Sequence, residues 1–300
     1  MKLNLENVNL SSNSGPNSFA SKLVKYFQTA GVTVGSGNPD AHLCFIESSK
    51  VSYNTPMFQR LDGIYFNTAQ DYERQNANIK RTYEMADGVI FQSQFNKMLT
   101  TKHFGVHKNS TIIHNGADLQ MIAEVPEFPL DRYENLWSCA AAWRPHKRLN
   151  ENIRYFLEHS GPKDGMIVAG TVPSNEKIKD DKIYYAGLLT QKQLFSLYKR
   201  SKFFIHLAWL DHCPNVVVDA RACGAQIICS SAGGTKEIAG SSAIVIEEAI
   251  WDYEPVALYN PPKMNFENKT NTGIDSELDM SKVCDMYKDF IFESQDASSS

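Results

Sequence analysis

The sequence predicts an α/β protein made of two successive units, each built on a parallel sheet. Two observations carry this. Short apolar runs alternate with amphipathic segments along most of the chain, which is the pattern of repeated βαβ units. The alternation is interrupted once, over residues 123–135, where Pro126, Pro129 and several acids replace any periodicity, and it then restarts. A chain of 300 residues is long enough for two domains with ordinary cores.

In the first unit, residues 3–10 alternate as a strand would, and Ser11 to Asn17 form a Ser/Asn/Gly/Pro loop. Phe19, Leu23, Tyr26 and Phe27 then recur at helical spacing, with Gly31 as a stop. Residues 42–47 and 64–67 are short apolar runs, and 89–92 reads as a buried strand. Helices are expected over 72–85 and 95–104, and a strand over 111–114. After the interruption, strands are expected at 137–142, 166–170, 183–186, 203–207 and 227–230, with helices at 150–159 and 191–200. A last helix near 279–292 precedes a Ser-rich tail. The implied division is 1–125, a linker at 126–135, 136–278, and a terminal helix and tail at 279–300.

Composition narrows the function. Hydrophobic residues are 42% and charged residues 21%, with net charge −4, so a nucleic-acid coat or a basic membrane-surface protein is not expected. The first fifteen residues lack an apolar leader, and no run approaches the roughly 18 apolar residues of a membrane span. The expectation is a cytoplasmic protein. Cys44, Cys139, Cys213, Cys223, Cys229 and Cys284 form no C-x-x-C pair, which suits reduced thiols.

Common catalytic signatures are missing. There is no G-x-x-x-x-G-K-[ST], no G-x-G-x-x-G, no G-x-S-x-G and no H-E-x-x-H. No two aspartates stand two positions apart, so the D-x-D clamp for a metal diphosphate is absent. His103 and His107 share a helical spacing, but Gly105 lies between them and no third ligand is near. No metal or other cofactor is expected.

Three windows carry chemistry. The first runs from Trp209 to Gly224 and holds Asp211 and Asp219, eight positions apart, around Pro214. If a helix begins at Pro214 or Asn215, its first N–H groups form an anion site, with Asp211 before it and Asp219 about one turn inside. The alternative is that Val216, Val217 and Val218 form a buried strand, as β-branched runs favour. The second window, Gln226 to Glu237, is a strand, Gly233-Gly234 and a helix start, and its glycines would let the backbone approach a phosphate. The third, Ala140 to Arg148, is the most basic short window and follows a strand. Arg144 and Lys147 there could neutralise a diphosphate, or form a solvated basic turn.

In this order the windows resemble the C-terminal half of GT-B glycosyltransferases of the retaining family 4. The matching pattern is acid–x7–acid, small residues, Gly, a buried strand, then Gly-Gly and an acid. Asp211, Asp219, Ala220, Ala222, Gly224, Gly233, Gly234 and Glu237 fit it. Ser14-Gly15-Pro16-Asn17 looks like the family's first-domain glycine loop, and residues 86–93 and 113–118 look like its first-domain strands. Two features depart from the pattern: both acids are Asp where Glu is usual, and the chain is short. It looks like a compact chlorovirus-type member. Residues 251–262 depart from the usual ending and receive no role.

The resemblance implies a GT-B fold, with two Rossmann-like domains facing across a cleft. It implies transfer of a hexosyl unit from a nucleotide sugar to a glycan acceptor, with retention and without metal. GDP-mannose is the favoured donor and mannose the favoured sugar. Arg144, Lys147 and Asp211 are the expected catalytic residues. Gly15, Pro16, Leu188, Leu189, Asn215, Val216, Val217 and Asp219 are the expected donor contacts, with Leu188 and Leu189 near the base. A nucleotide-sugar epimerase on the same fold and a non-enzymatic sugar-binding protein are the rival readings, and a homodimer is left open.

Overall fold

The computed structural model describes residues 1–12 and 14–296. The chain divides into two compact units. The first contains β1 (Lys2–Glu6), α1 (Gly15–Thr29), β2 (Thr33–Val34), β3 (Ala41–Phe45), β4 (Met57–Leu61), α2 (Tyr72–Met85), β5 (Gly88–Phe91), α3 (Gln94–Phe104) and β6 (Ser110–Ile112). The second contains α4 (Leu119–Glu124), β7 (Asn135–Ala140), α5 (Leu149–His159), β8 (Asp164–Ala169), β9 (Ile183–Gly187), α6 (Gln191–Arg200), β10 (Ser201–His206), α7 (Asn215–Ala222), β11 (Gln226–Ser230), β12 (Ile244–Ile246) and β13 (Lys269–Thr270). The last helix, α8 (Met280–Asp296), belongs to the first unit.

Each unit holds one sheet. The first has strand order β2-β1-β3-β4-β5-β6 and is parallel throughout. The second has order β13-β12-β11-β10-β7-β8-β9 and is parallel except for β13. In the second sheet the chain runs outward from β7 through β8 and β9, then restarts on the other side of β7 with β10. The two neighbours β7 and β10 therefore send their following loops to opposite faces, and a crevice opens at their carboxyl ends, where open α/β sheets bind ligands.

The units do not follow the division drawn from sequence. The first is residues 1–117, 253–256 and 277–300, and the second is 118–252 and 257–276. The stretch read as a linker is tied to α6 instead. Lys199 Nζ donates to the Val125 carbonyl, the Phe128 amide to Ser196, and Arg200 to the carbonyls of Leu130 and Tyr133. Residues 253–256 return to the first unit: Val256 bonds Phe66 and Thr68, Tyr253 packs on Phe95, and Lys102 pairs with Glu254. α8 returns because its apolar face completes a core. Met280, Val283, Cys284, Tyr287 and Ile291 are buried against Phe19, Leu23 and Phe58.

Strand β4 escaped the sequence reading because its apolar run is broken by Gln59 and Arg60. Both are fully buried. The Arg60 guanidinium donates from Nε to the Tyr287 hydroxyl at 3.0 Å and from NH2 to Asn115 Oδ1 at 2.7 Å. It also pairs with Asp62 and lies over the Phe19 ring. A buried charge is tolerated only when it is paired and hydrogen-bonded in this way. Fold topology also decides the ambiguous segment around Val216. β10 and β11 pair directly and in parallel, so residues 207–225 must cross over between them, and parallel neighbours need a crossover that is normally a helix. α7 is that helix, and Val217, Val218 and Ala220 are its fully buried face.

Candidate functional site

The carboxyl ends of β7 and β10 bring two of the sequence windows together. After β7 the chain makes a short 3₁₀ turn at Pro145–Lys147 and then places Arg148 in the left-handed region, at φ 54. A non-glycine residue there is strained. Arg148 holds it because its side chain is locked by a bidentate pair with Glu248, at 2.9 and 2.7 Å, and by the Pro262 carbonyl. Asn152 closes the turn from α5 by donating to the carbonyls of Lys147 and Arg148 while its Oδ1 accepts from the Leu207 amide. Trp209 N donates to the His146 carbonyl at 2.8 Å, so the two loops are stitched at the backbone.

Within this frame Lys147 Nζ lies 2.5 Å from Asp211 Oδ2. His206 Nε2, from the last residue of β10, reaches the same oxygen at 2.8 Å, and the His212 amide donates to Oδ1 at 3.0 Å. Burial works against the Asp211 charge, but Lys147 and His206 outweigh it and hold the carboxyl well below the usual range. Burial lowers His206, and it lowers His146 and His212 to about 4, so these rings are neutral near pH 7. The His146 ring stacks on Tyr259.

The Asp211 backbone is fixed from the third window. Gly234 N donates to the Asp211 carbonyl at 2.7 Å, and Leu210 N to Ala232 at 3.1 Å. Gly233 sits at φ +111, and a Cβ there would stand 2.6 Å from the Asp211 carbonyl oxygen. The sequence reading gave these glycines to a phosphate; in the structure the room left by Gly233 is taken by Asp211 itself.

The expected residues fare differently. Lys147 and Asp211, assigned separately to phosphate and sugar, form one ion pair. Arg144 is exposed on the same loop, and its carbonyl accepts from the Lys147 amide. Asn215 and Val216 open α7, half-buried. Val217 is buried, and its amide donates to the Pro214 carbonyl at 3.1 Å. Asp219 is buried one turn on, where its charge helps to raise the Tyr198 phenol. Leu188 and Leu189 follow β9 on the same sheet edge, and Leu188 is 82% exposed. Gly15 and Pro16 open α1 in the other unit, with Ser14 as the N-cap. Sequence reasoning missed His206, Asn152 and Glu248. The one available signal was a lone histidine closing an otherwise apolar strand.

Among the described residues no group of three His, Cys, Asp or Glu stands together as a metal site. The rings of His103 and His107 are bonded to backbone carbonyls. No helix among the described residues is long and apolar enough to cross a membrane.

No family profile matches the sequence. Solved structures do match the fold. WaaG, a glycosyltransferase of lipopolysaccharide biosynthesis, superposes with a TM-score of 0.65 over 97% of this chain and 100% of that one, at 11% identity. The chain has a GT-B fold. Other GT-B structures agree. Anabaena HepE, solved with UDP and glucose, gives 0.64 over 99% of this chain and 100% of that one, at 14% identity. Sucrose-phosphate synthase of Thermosynechococcus elongatus gives 0.66 over 82% and 86%, at 12% identity. In sequence, an uncharacterised glycosyltransferase of Methanocaldococcus jannaschii is 26% identical over 167 residues. That match covers 50% of this chain and 41% of the relative, so the chain aligns with less than half of that protein.

Proposed function

We propose that the chain is a cytoplasmic retaining glycosyltransferase of the compact, chlorovirus-like family 4 type. It transfers a hexosyl unit, mannose by preference, from a nucleotide sugar, GDP-mannose by preference, to a glycan acceptor, without a metal. The observation that carries this reading is the Lys147–Asp211 ion pair at the carboxyl ends of the neighbouring strands β7 and β10, where the order of the second sheet reverses. HepE, solved with UDP and glucose, and the glycosyltransferase relative support the coarser part of it, glycosyl transfer from a nucleotide sugar.

The chemistry needs a place for the negative charge that grows on the departing diphosphate. Arg144 is exposed and has no ion pair among the described residues. Lys147 has one carboxylate partner and two further N–H donors. Both cations, with the amides of Asn215 and Val216, would stabilise the leaving group. Drawn to phosphate, Lys147 frees one lone-pair side of Asp211 for a donor-sugar hydroxyl. Asp219 takes the ribose, and Leu188 and Leu189 take the base. A leaving phosphate oxygen on the acceptor's face can take the acceptor proton, so no side-chain base is required.

Calorimetric titration against a panel of nucleotide sugars, followed by turnover, tests the reading. GDP-mannose should bind tightest, and transfer should survive EDTA. Arg144→Ala and Lys147→Ala should each lower kcat about 10²-fold, whereas Asp219→Ala should mainly raise the donor KM. Near-normal turnover in both cation variants would remove the diphosphate clamp. Release of free sugar-nucleotide isomer without an acceptor would favour the epimerase.

A further inference from the structure

The proposed mechanism leaves His206 unused, yet it is the most deeply buried group touching the ion pair. It closes β10 at 4% exposure. Its Nε2 lies 2.8 Å from Asp211 Oδ2. A carboxylate can only accept, so Nε2 carries the proton and the neutral ring is fixed in one tautomer. The Phe204 ring lies parallel to it, 6.5 Å away. The charged groups that act on it are Asp211 and Lys147.

Asp211 is thus held three ways. Lys147 is a flexible cation on Oδ2, His206 a rigid ring on the same oxygen, and the His212 amide a fixed donor on Oδ1. The first hold is the one a diphosphate would compete for. The other two belong to the sheet edge and the loop, and no anion draws them away. The loop's backbone is clamped independently, through Gly234 and Ala232. Once Lys147 turns away, losing the His206 N–H therefore leaves the Asp211 side chain on the His212 amide alone, without opening the loop.

We propose that His206 is a positioning residue that keeps the Asp211 carboxylate aimed when Lys147 turns to the donor diphosphate. The role rests on the glycosyl-transfer reading above. It acts through Asp211, on the reacting geometry more than on nucleotide affinity, so it belongs in kcat and hardly at all in donor KM.

Two variants separate this from packing. His206→Phe keeps a ring and removes the donor; His206→Gln places an amide N–H near the position of Nε2. With donor varied at saturating acceptor, His206→Phe should lower kcat about tenfold or more while donor KM stays within about twofold. His206→Gln should stay within about threefold of the parent kcat. Equal losses in both variants, or full turnover in His206→Phe, would overturn the proposal. The pairing is also read without turnover. A nitrogen-15 spectrum of the unaltered protein at pH 7 should show a His206 Nε2–H whose proton signal is lost in Asp211→Ala; an Nδ1–H tautomer would overturn it even if the Phe variant does not fold. If the unaltered protein transfers sugar from no donor in the panel, the glycosyl-transfer reading fails, while the spectrum still decides the His206–Asp211 pair.

Discussion

Two cations near the carboxyl ends of parallel strands invite comparison. Arg60 in the first unit and Lys147 in the second each face an aspartate, Asp62 and Asp211. Arg60 is fully buried, and its guanidinium is spent on Tyr287, Asn115, Asp62 and, more distantly, Gln92. Lys147 keeps partial exposure and one carboxylate partner. The difference separates structure from function: a cation whose donors are consumed by the fold stabilises it, and a cation with donors left over can take a ligand. Arg148, one residue from Lys147, falls with Arg60, since Glu248 and Pro262 take its guanidinium.

The strongest test of that contrast removes each cation. Arg60→Met removes the buried guanidinium that pairs with Asp62 and bonds Asn115 and Tyr287, and should cost about 3–5 kcal/mol in chemical denaturation. Lys147→Ala should show its main effect in turnover, because His206 and the His212 amide still hold Asp211. A Lys147 variant that unfolds as readily as the Arg60 variant would erase the distinction.

The next test strikes the frame around Asp211 rather than its charge. Gly233→Ala forces a side chain into the left-handed region and against the Asp211 carbonyl. It should destabilise by about 1–3 kcal/mol and lower turnover with it. Unchanged melting and unchanged turnover would mean that the loop relaxes freely.

The smallest expected effect is on pH. His146 and His212 are lowered to about 4, below the ordinary value of 6.5. The unfolded chain therefore binds more protons between those values. Stability from the two rings is complete above pH 6.5 and is lost as pH falls toward 4. From pH 7 to 5.5 the loss should be about 1 kcal/mol per histidine. Hydrogen exchange should show the second unit loosening first over that interval, and His146→Phe should reduce the slope. A flat profile would mean that these rings titrate normally.

How much could be read from sequence follows from which forces are local. The helices over 72–85 and 191–200 appear with the bounds the periodicity predicts, because Asp71 caps the first and Thr190 with Gln193 forms a capping box on the second. The pattern of acids, small residues and glycines between 211 and 237 pointed to the fold through resemblance, whereas the contact between Lys147 and Asp211 was not legible in it. β4 was missed because Gln59 and Arg60 are polar, and only the partners supplied by Tyr287 and Asn115 make them core residues. His206 was passed over for the opposite reason, since an apolar strand hid it.

The sequence by itself determined the alternation of strands and helices, the caps, and the short motifs, since these depend on neighbours within a few residues. The tertiary structure decided the rest. Pairing of β10 with β11 turned a β-branched run into a helix, because parallel neighbours require a crossover. Sheet order set residues 144–148 beside 207–215, which turned two separate candidates into one ion pair. Docking of α8 and of residues 253–256 assigned these segments to a unit that linear order had not given them. Each of these rests on contacts between residues tens to hundreds of positions apart, and local propensity carries no information about such contacts.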